Sequence, residues 1–145
     1  MPDFSGQPHL PDKQLIENFH THRAEFEKLV AMVLEDRNLT RVDETWTEPQ
    51  DFSAQRIAEY RKLDKAIGIP RGLSAPISRE QIEFIASAQG WVAHGSTKGY
   101  LYGEKCPGYI GETVESLDGM SLAERPSGSG CRHIEGKWYL YFVSD

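Results

Sequence analysis

The hydrophobic pattern is densest near the C-terminus, where residues 131–143 read C-R-H-I-E-G-K-W-Y-L-Y-F-V. The pair Glu135-Gly136 separates two runs of strand-forming residues and predicts a tight hairpin, because glycine adopts positive φ at no steric cost. From Trp138 onward, alternate residues face opposite sides of the predicted strand, and both sides are apolar or aromatic. This pattern is typical of a central strand that is covered by helices on one side and partly covered on the other.

Two segments show helical periodicity. Apolar residues recur every three to four positions over 13–36, where Asp12 is a suitable N-cap, and this predicts a long amphipathic helix. A second helix is predicted over 54–67, because Ser53 is a good N-cap and Gly68 a good residue to end the helix.

The remaining periodic segments favour strands. A strand is predicted over 39–47, another over 81–87, and a hairpin whose arms, 91–94 and 99–102, are joined by a turn at 95–98. Together with the helices, these segments predict an α+β fold with a mostly antiparallel sheet of about five to six strands and two helices packed on one face.

The chain length of 145 residues suits one domain of ordinary size. We expect a flexible N-terminal segment over 1–11, which is rich in proline and glycine, and a single α+β domain over 12–145. No run of about 20 apolar residues occurs, so no transmembrane segment is predicted. No signal peptide is visible at the start, and a lipid anchor in a longer precursor remains open.

A long segment rich in glycine and proline, 104–130, predicts a loop, and loops longer than about 12–15 residues are usually functional or disordered. Between Glu104 and Glu124 it carries five acidic residues and only one basic residue, Lys105. The formal net charge of the whole chain is −6, which excludes a general attraction for nucleic acid. The loop therefore predicts an acidic surface suited to a basic protein partner.

The two cysteines, Cys106 and Cys131, lie at the two ends of this loop. A disulfide between them would close the loop and require an oxidising compartment such as the periplasm. Two free thiols in a cytoplasmic protein are the alternative, since pairing does not follow from sequence alone.

Motifs for catalysis and metal binding are absent from the sequence. There is no G-x-S-x-G, C-x-x-C or H-E-x-x-H, so no cofactor and no metal site are predicted. If the protein is an enzyme of unrecognised type, for example a hydrolase, then His94, Ser96 and His133 are its candidate catalytic residues.

Aromatic residues near the acidic loop favour a contact with another protein, because tyrosine and tryptophan are enriched at interfaces. Alternatively, these aromatic residues fill the second face of the sheet. The predicted contact surface combines this aromatic group with the acidic residues of the loop. Its members are Trp46, Tyr100, Tyr102, Glu104, Tyr109, Glu112, Glu115 and Asp118.

Three segments carry a resemblance to a known class of protein: R-H-I-E-G-K-W-Y-L-Y at 132–141, F-E-K-L-V at 26–30 and I-A-S-A-Q-G-W-V-A-H-G-S-T-K-G-Y-L-Y at 85–102. In these the chain resembles small bacterial exported proteins and lipoproteins, including immunity proteins against lipase effectors of type VI secretion. The resemblance implies a periplasmic, non-enzymatic protein that binds and neutralises a secreted toxin. The chain departs from the lipoproteins in having no lipobox cysteine near its start, and a structural domain of the cell envelope is a further alternative.

Overall fold

The computed structural model describes residues 8–91 and 94–145, without the side chains of Trp91 and His94. The described residues form four helices and one antiparallel sheet of seven strands, which confirms the predicted α+β class. In chain order the elements are α1 (Asp12–Thr21), α2 (Arg23–Glu35), β1 (Arg41–Val42), β2 (Thr47–Glu48), α3 (Ala54–Ala66), β3 (Leu73–Ser74), β4 (Gln81–Trp91), β5 (His94–Gly103), α4 (Asp118–Ser121), β6 (Ser129–Glu135) and β7 (Trp138–Ser144).

The strands are arranged in the order β2-β1-β3-β4-β5-β7-β6. The C-terminal hairpin forms as predicted, with Gly136 at φ +54° in its turn. Alternate residues of β7 separate as expected: those in register with Trp138 pack under the helices, and those in register with Tyr139 pack on the opposite face. β7 has a neighbouring strand on each side, so its predicted position inside the sheet is confirmed.

The main core lies between one face of the sheet and helices α1, α2 and α3. Phe19 and Phe26 are fully buried there, with ring centroids 5.4 Å apart, and both rings contact Trp138. α3 begins as predicted, since the Ser53 hydroxyl accepts a hydrogen bond from the Arg56 amide. Helix periodicity therefore identified the correct buried faces.

The predicted single helix over 13–36 is wrong, because the backbone leaves the helical conformation at His22 and separates α1 from α2. Just before the break, the Thr21 hydroxyl donates to the Glu17 carbonyl, a local contact that bends helices. Asp12 is not the N-cap either: Pro11 holds that position, and Asp12 is the first helical residue.

Two predicted strand boundaries also differ from the structure. The segment 39–47 is not one strand but a small hairpin, in which Val42 pairs with Thr47. Residues 95–98, predicted as a turn, belong to β5, where Gly95 pairs with Gly90 and Lys98 with Ser87.

Residues 9–12 lie against the sheet, although the sequence assigned 1–11 to a flexible segment. His9 is only 6% exposed, and its ring nitrogens lie 2.6 Å and 2.7 Å from the hydroxyls of Ser87 and Ser96. Residues 1–7 lie outside the described part of the chain. The contacts of His9 with Ser87 and Ser96 therefore attach the N-terminal segment to the sheet from residue 9 onward.

The Cys106–Cys131 disulfide is present, as one of the two alternatives from the sequence expected. It attaches the long loop to β6, and Cys131 is buried in a second cluster with Leu101, Ile110 and Tyr141. This cluster lies on the face of the sheet opposite the helices. The loop thus covers the β5, β7 and β6 part of that face.

Candidate functional site

The uncovered part of this second face is polar. One row of paired residues crosses the sheet from Glu48 on β2 through Arg41, Ser74 and Glu83, and continues to Leu101 under the loop. The row changes from charged to apolar where the loop begins to cover it. At the β2 end this face of the sheet is therefore open surface and not part of the hydrophobic core.

Two adjoining depressions form a groove on this open face. One, of about 430 Å³, lies between Trp46 and Tyr109 above Ser74 and Glu83. The other, of about 460 Å³, continues along the loop past Glu104. Gln81 and Tyr109 line both depressions, so the two adjoin, and together they are called the groove.

Trp46 forms one side of the groove. It lies in the turn of the short β1–β2 hairpin, which keeps its side chain exposed. The Asp43 amide donates to the Trp46 carbonyl at 2.8 Å and closes the turn. The Arg41 guanidinium lies 5.4 Å from the centre of the Trp46 ring and pairs with Asp43 at 2.8 Å. These contacts orient the indole ring, which remains 51% exposed.

Tyr109 forms the other side, at the point where the loop turns back toward the sheet. The amides of Ile110 and Gly111 both donate to the Pro107 carbonyl, and Ile110 is buried in the second cluster. Because Ile110 faces inward, its neighbour Tyr109 faces outward and is 59% exposed. The disulfide at Cys106 attaches the same turn to the sheet.

The groove is acidic overall. Burial raises the pKa of Glu83 above its ordinary value, and the hydrogen bond from Tyr109 and the nearby charge of Arg41 partly oppose this. Burial and the adjacent Glu83 raise the pKa of Tyr109 to about 12, so its hydroxyl stays protonated and can donate. Four acidic side chains line the groove against the basic Arg41 and Lys105: Glu48, Glu80, Glu83 and Glu104.

The structure brings together three residues of the predicted contact surface: Trp46, Glu104 and Tyr109. Of these, Glu104 also forms a 2.8 Å ion pair with Lys137 at the surface. Nothing in the sequence indicated that Glu83 and Trp46 line one groove. Glu48 and Arg41 were missed because the β1–β2 hairpin was predicted as one strand.

Two tyrosines of the predicted surface lie on the helix side of the sheet. Tyr100 is fully buried, and its hydroxyl donates to the Leu15 carbonyl at 2.8 Å. Its assignment to an exposed contact surface is therefore incorrect. Tyr102 packs against Trp138, with ring centroids 4.9 Å apart, and is partly buried beside the main core.

The acidic residues of the later part of the loop are separate from the groove. Glu112 and Glu115 are exposed, and the Glu112 carbonyl binds the amide of Cys131 on β6, at the opposite edge of the sheet from Trp46. Asp118 accepts a hydrogen bond from the Asp12 amide and lies 3.4 Å from Lys98. The acidic loop is thus not one continuous surface.

Two of the three candidate catalytic residues, Ser96 and His133, lie apart. Ser96 is buried against His9, and His133 is exposed and bonds to the Gly136 carbonyl. The side chain of His94 lies outside what the structure describes. Within residues 8–91 and 94–145, no group of three or more His, Cys, Asp or Glu side chains is placed to hold a metal ion.

No family model, curated protein or solved structure matches this chain. Among the helices of the described residues, none has the length and apolar character needed to cross a membrane.

Proposed function

We propose that this chain is a non-enzymatic binding protein whose groove, bounded by Trp46 and Tyr109, receives basic side chains of a partner protein. The observation that carries the proposal is the pair of large aromatic side chains, 51% and 59% exposed, on the two sides of one acidic groove. Exposed aromatic residues that are held in place are typical of interaction sites. A lysine or arginine between the two rings would gain cation–π contacts and neutralise Glu83.

The partner that fits best is a secreted bacterial toxin, which this protein would neutralise as an immunity protein. The resemblance of residues 132–141 to such proteins supports this class, as does the acidic groove, since a toxin with a basic active-site rim would dock there. The Cys106–Cys131 disulfide fits an oxidising compartment, so the proposed location is the periplasm.

The test measures binding between the purified protein and the secreted effector encoded beside its gene, by calorimetry. We expect stoichiometric binding that inhibits the effector, and losses of affinity of about tenfold or more for Trp46→Ala and for Tyr109→Ala. Leu34→Ala is the matched control, because Leu34 is 45% exposed on α2, away from the groove.

Two results would count against this function. If Leu34→Ala weakens binding as much as the groove variants do, the contact lies elsewhere on the molecule. If the effector neither binds nor loses activity, the immunity role is wrong, and a structural role in the cell envelope becomes the better explanation.

A further inference from the structure

A third cavity, of about 510 Å³, lies where α3 ends beside the turn between β1 and β2. Its lining includes Asp43 and Glu44 from the turn and three residues of α3: Arg61, Asp64 and Lys65. The cavity shares none of its lining residues with the Trp46–Tyr109 groove. It is therefore a separate candidate site.

Asp64 is the unusual residue of this cavity. It is only 4% exposed, and within the described part of the chain its Oδ1 atom is buried without a hydrogen-bond partner. Burial raises the pKa of Asp64 to about 8, although Arg41 and Arg61 both act to lower it. An ionised carboxylate in such a place costs free energy unless a cation pairs with it.

The neighbouring guanidinium groups are engaged elsewhere. Arg41 pairs with Asp43 at 2.8 Å and donates to the carbonyls of Val42 and Leu73. The Nε of Arg61 donates to the backbone carbonyl of Asp43 at 3.2 Å. Neither group forms a hydrogen bond with Asp64, so this residue of the cavity lining has a carboxyl whose Oδ1 is unpartnered.

The end of α3 adds a further preference for positive charge. The helix has 13 residues and ends at Ala66, so the negative end of its dipole lies beside Asp64 and Lys65. Gly68, at φ +74°, directs the chain away from the helix axis and forms part of the cavity wall. Glu44 supplies one more acidic group, Asp43 is already paired with Arg41, and the side chains of Arg61 and Lys65 oppose a cation.

We propose that this cavity binds a small organic cation, an alkylammonium or guanidinium group, with the carboxylate of Asp64 as its direct partner. The bound cation supplies the charge and the hydrogen-bond donors that the buried oxygen lacks. The inference does not depend on the function proposed for the groove. The same chemistry is presented by free amines and by lysine or arginine side chains of a peptide.

A cation that pairs with ionised Asp64 must displace its proton. Because the pKa of the free Asp64 is about 8, binding at pH 7 releases a proton, and affinity increases as the pH rises toward 8. Below this pKa the apparent affinity changes by about tenfold per pH unit. Above it the affinity levels off.

The experiment is calorimetry with n-butylammonium and ethylguanidinium between pH 6 and pH 9, in two buffers of different ionisation enthalpy. We expect binding that strengthens about tenfold per pH unit below pH 8, with proton release. Asp64→Asn should weaken binding at pH 8 by at least about tenfold and abolish its pH dependence. Glu17→Gln, at an exposed position on α1 outside both the cavity and the groove, is the matched control and should bind both probes like the wild type.

A peptide arm identifies the source of the cation. Acetyl-Gly-Lys-Gly-amide is titrated beside n-butylammonium: binding of both indicates a side chain of a protein as ligand, and binding of the free amine alone indicates a small molecule. Sodium butyrate is the anionic probe. The proposal is overturned if butyrate binds as tightly as butylammonium, or if no cation binds at pH 8. Either result overturns it regardless of what the groove binds.

Asp64→Asn is expected to fold, because the wild-type carboxyl is already neutral at pH 7. A second measurement uses the wild type alone: carbon-13 NMR follows the carboxyl of Asp64 with and without n-butylammonium. The cation should lower the pKa of Asp64 from about 8 by at least one unit. An unchanged titration curve at saturating butylammonium would contradict the proposal even if the variant does not fold.

Discussion

Lys98 illustrates how single buried residues hold distant parts of this chain together. It is fully buried on β5, and its Nζ lies 2.8 Å from Asp12, 2.7 Å from the Leu10 carbonyl and 2.7 Å from the Ser121 hydroxyl. A buried ammonium group is tolerated only when its donors are satisfied and its charge is paired. Lys98 therefore joins the N-terminal segment and the end of the long loop to the sheet.

Asp12 is the partner that makes this possible. It is fully buried, accepts a hydrogen bond from the Leu117 amide at 2.7 Å and pairs with Arg132 at 3.1 Å. Although burial raises its pKa, the hydrogen bonds and charges around it prevail and hold the pKa below the ordinary value. Asp12 stabilises the fold above its unfolded-state pKa, and this stabilisation is lost as the pH falls through its folded pKa.

His9 makes the folded state sensitive to mild acid. Burial, assisted by the charge of Lys98, lowers its pKa from 6.5 to about 4. At pH values between 4 and 6.5, His9 binds a proton in the unfolded chain but not in the folded chain. Stability should therefore decrease as the pH falls from 6.5 to 4, by up to about 3 kcal/mol from this residue.

The measurement is the free energy of unfolding in urea at several pH values for the wild type and His9→Gln. The stability of His9→Gln relative to the wild type should rise as the pH falls from 6.5 to 4, and this difference between the two curves isolates His9 from Asp64, whose raised pKa acts in the opposite direction. His20→Gln, at an exposed position, should retain the wild-type dependence. Parallel curves for the wild type and His9→Gln would show that His9 is not buried in its neutral form.

At the scale of elements, the disulfide positions the loop that forms one side of the groove. Cys106 precedes Tyr109 by three residues, and Cys131 lies on β6 in the second cluster. Besides this bond, the buried Ile110 and the hydrogen bond between Tyr109 and Glu83, the turn at 107–111 is held by its own backbone hydrogen bonds. We infer that the disulfide contributes more to the shape of the groove than to the packing of the helical core.

Replacing both cysteines by serine should therefore have a local and a global effect. For a loop of 25 residues, chain entropy predicts a decrease of about 3.5 kcal/mol in the free energy of unfolding. Hydrogen exchange should increase most over 104–117 and little in α2 or α3. The measurements are urea unfolding and exchange by mass spectrometry.

Reduction of the wild type under native conditions should reproduce these changes, and the same reductant should leave the double variant unaffected. Uniformly increased exchange, including α2 and α3, would instead show that the disulfide supports the whole fold. That outcome would remove the proposed link between the disulfide and the groove.

At the scale of the whole molecule, the two faces of the sheet have different roles. In the described part of the chain, one face packs against three helices, and the second cluster covers the other over β5, β7 and β6. The open area at β1, β3 and β4 is acidic, and the chain as a whole carries a formal charge of −6. Long-range electrostatic attraction should therefore accelerate the approach of a basic partner to this face.

This predicts a salt-dependent association rate. For a basic protein partner, the association rate constant should decrease by about tenfold or more between roughly 0.05 and 0.5 M salt, while dissociation changes less. Glu48→Lys should slow association at low salt, and Glu115→Lys, far from the groove, should do so much less. Stopped-flow fluorescence of Trp46 provides the measurement, and association independent of salt would contradict electrostatic attraction.

Local pattern alone determined much of this protein. The two faces of β7, the ends of α3 and the hairpin turn at Gly136 follow from the spacing of apolar residues and from cap and turn chemistry. These features depend on residues a few positions apart, so a short window of sequence contains them. Three residues that line the groove, Trp46, Glu104 and Tyr109, were singled out from their residue types in the same way.

Only the tertiary structure decided which of those residues share a surface. Tyr100 is buried because it pairs with Leu140 of β7 on the face of the sheet that lies under the helices. Its hydroxyl donates to the carbonyl of Leu15, 85 positions away in the sequence. Trp46 and Tyr109 line one groove because the strand order places their segments on the same open face of the sheet. Strand register and long-range polar pairing depend on contacts between distant segments, and no local pattern of apolar and polar residues carries that information.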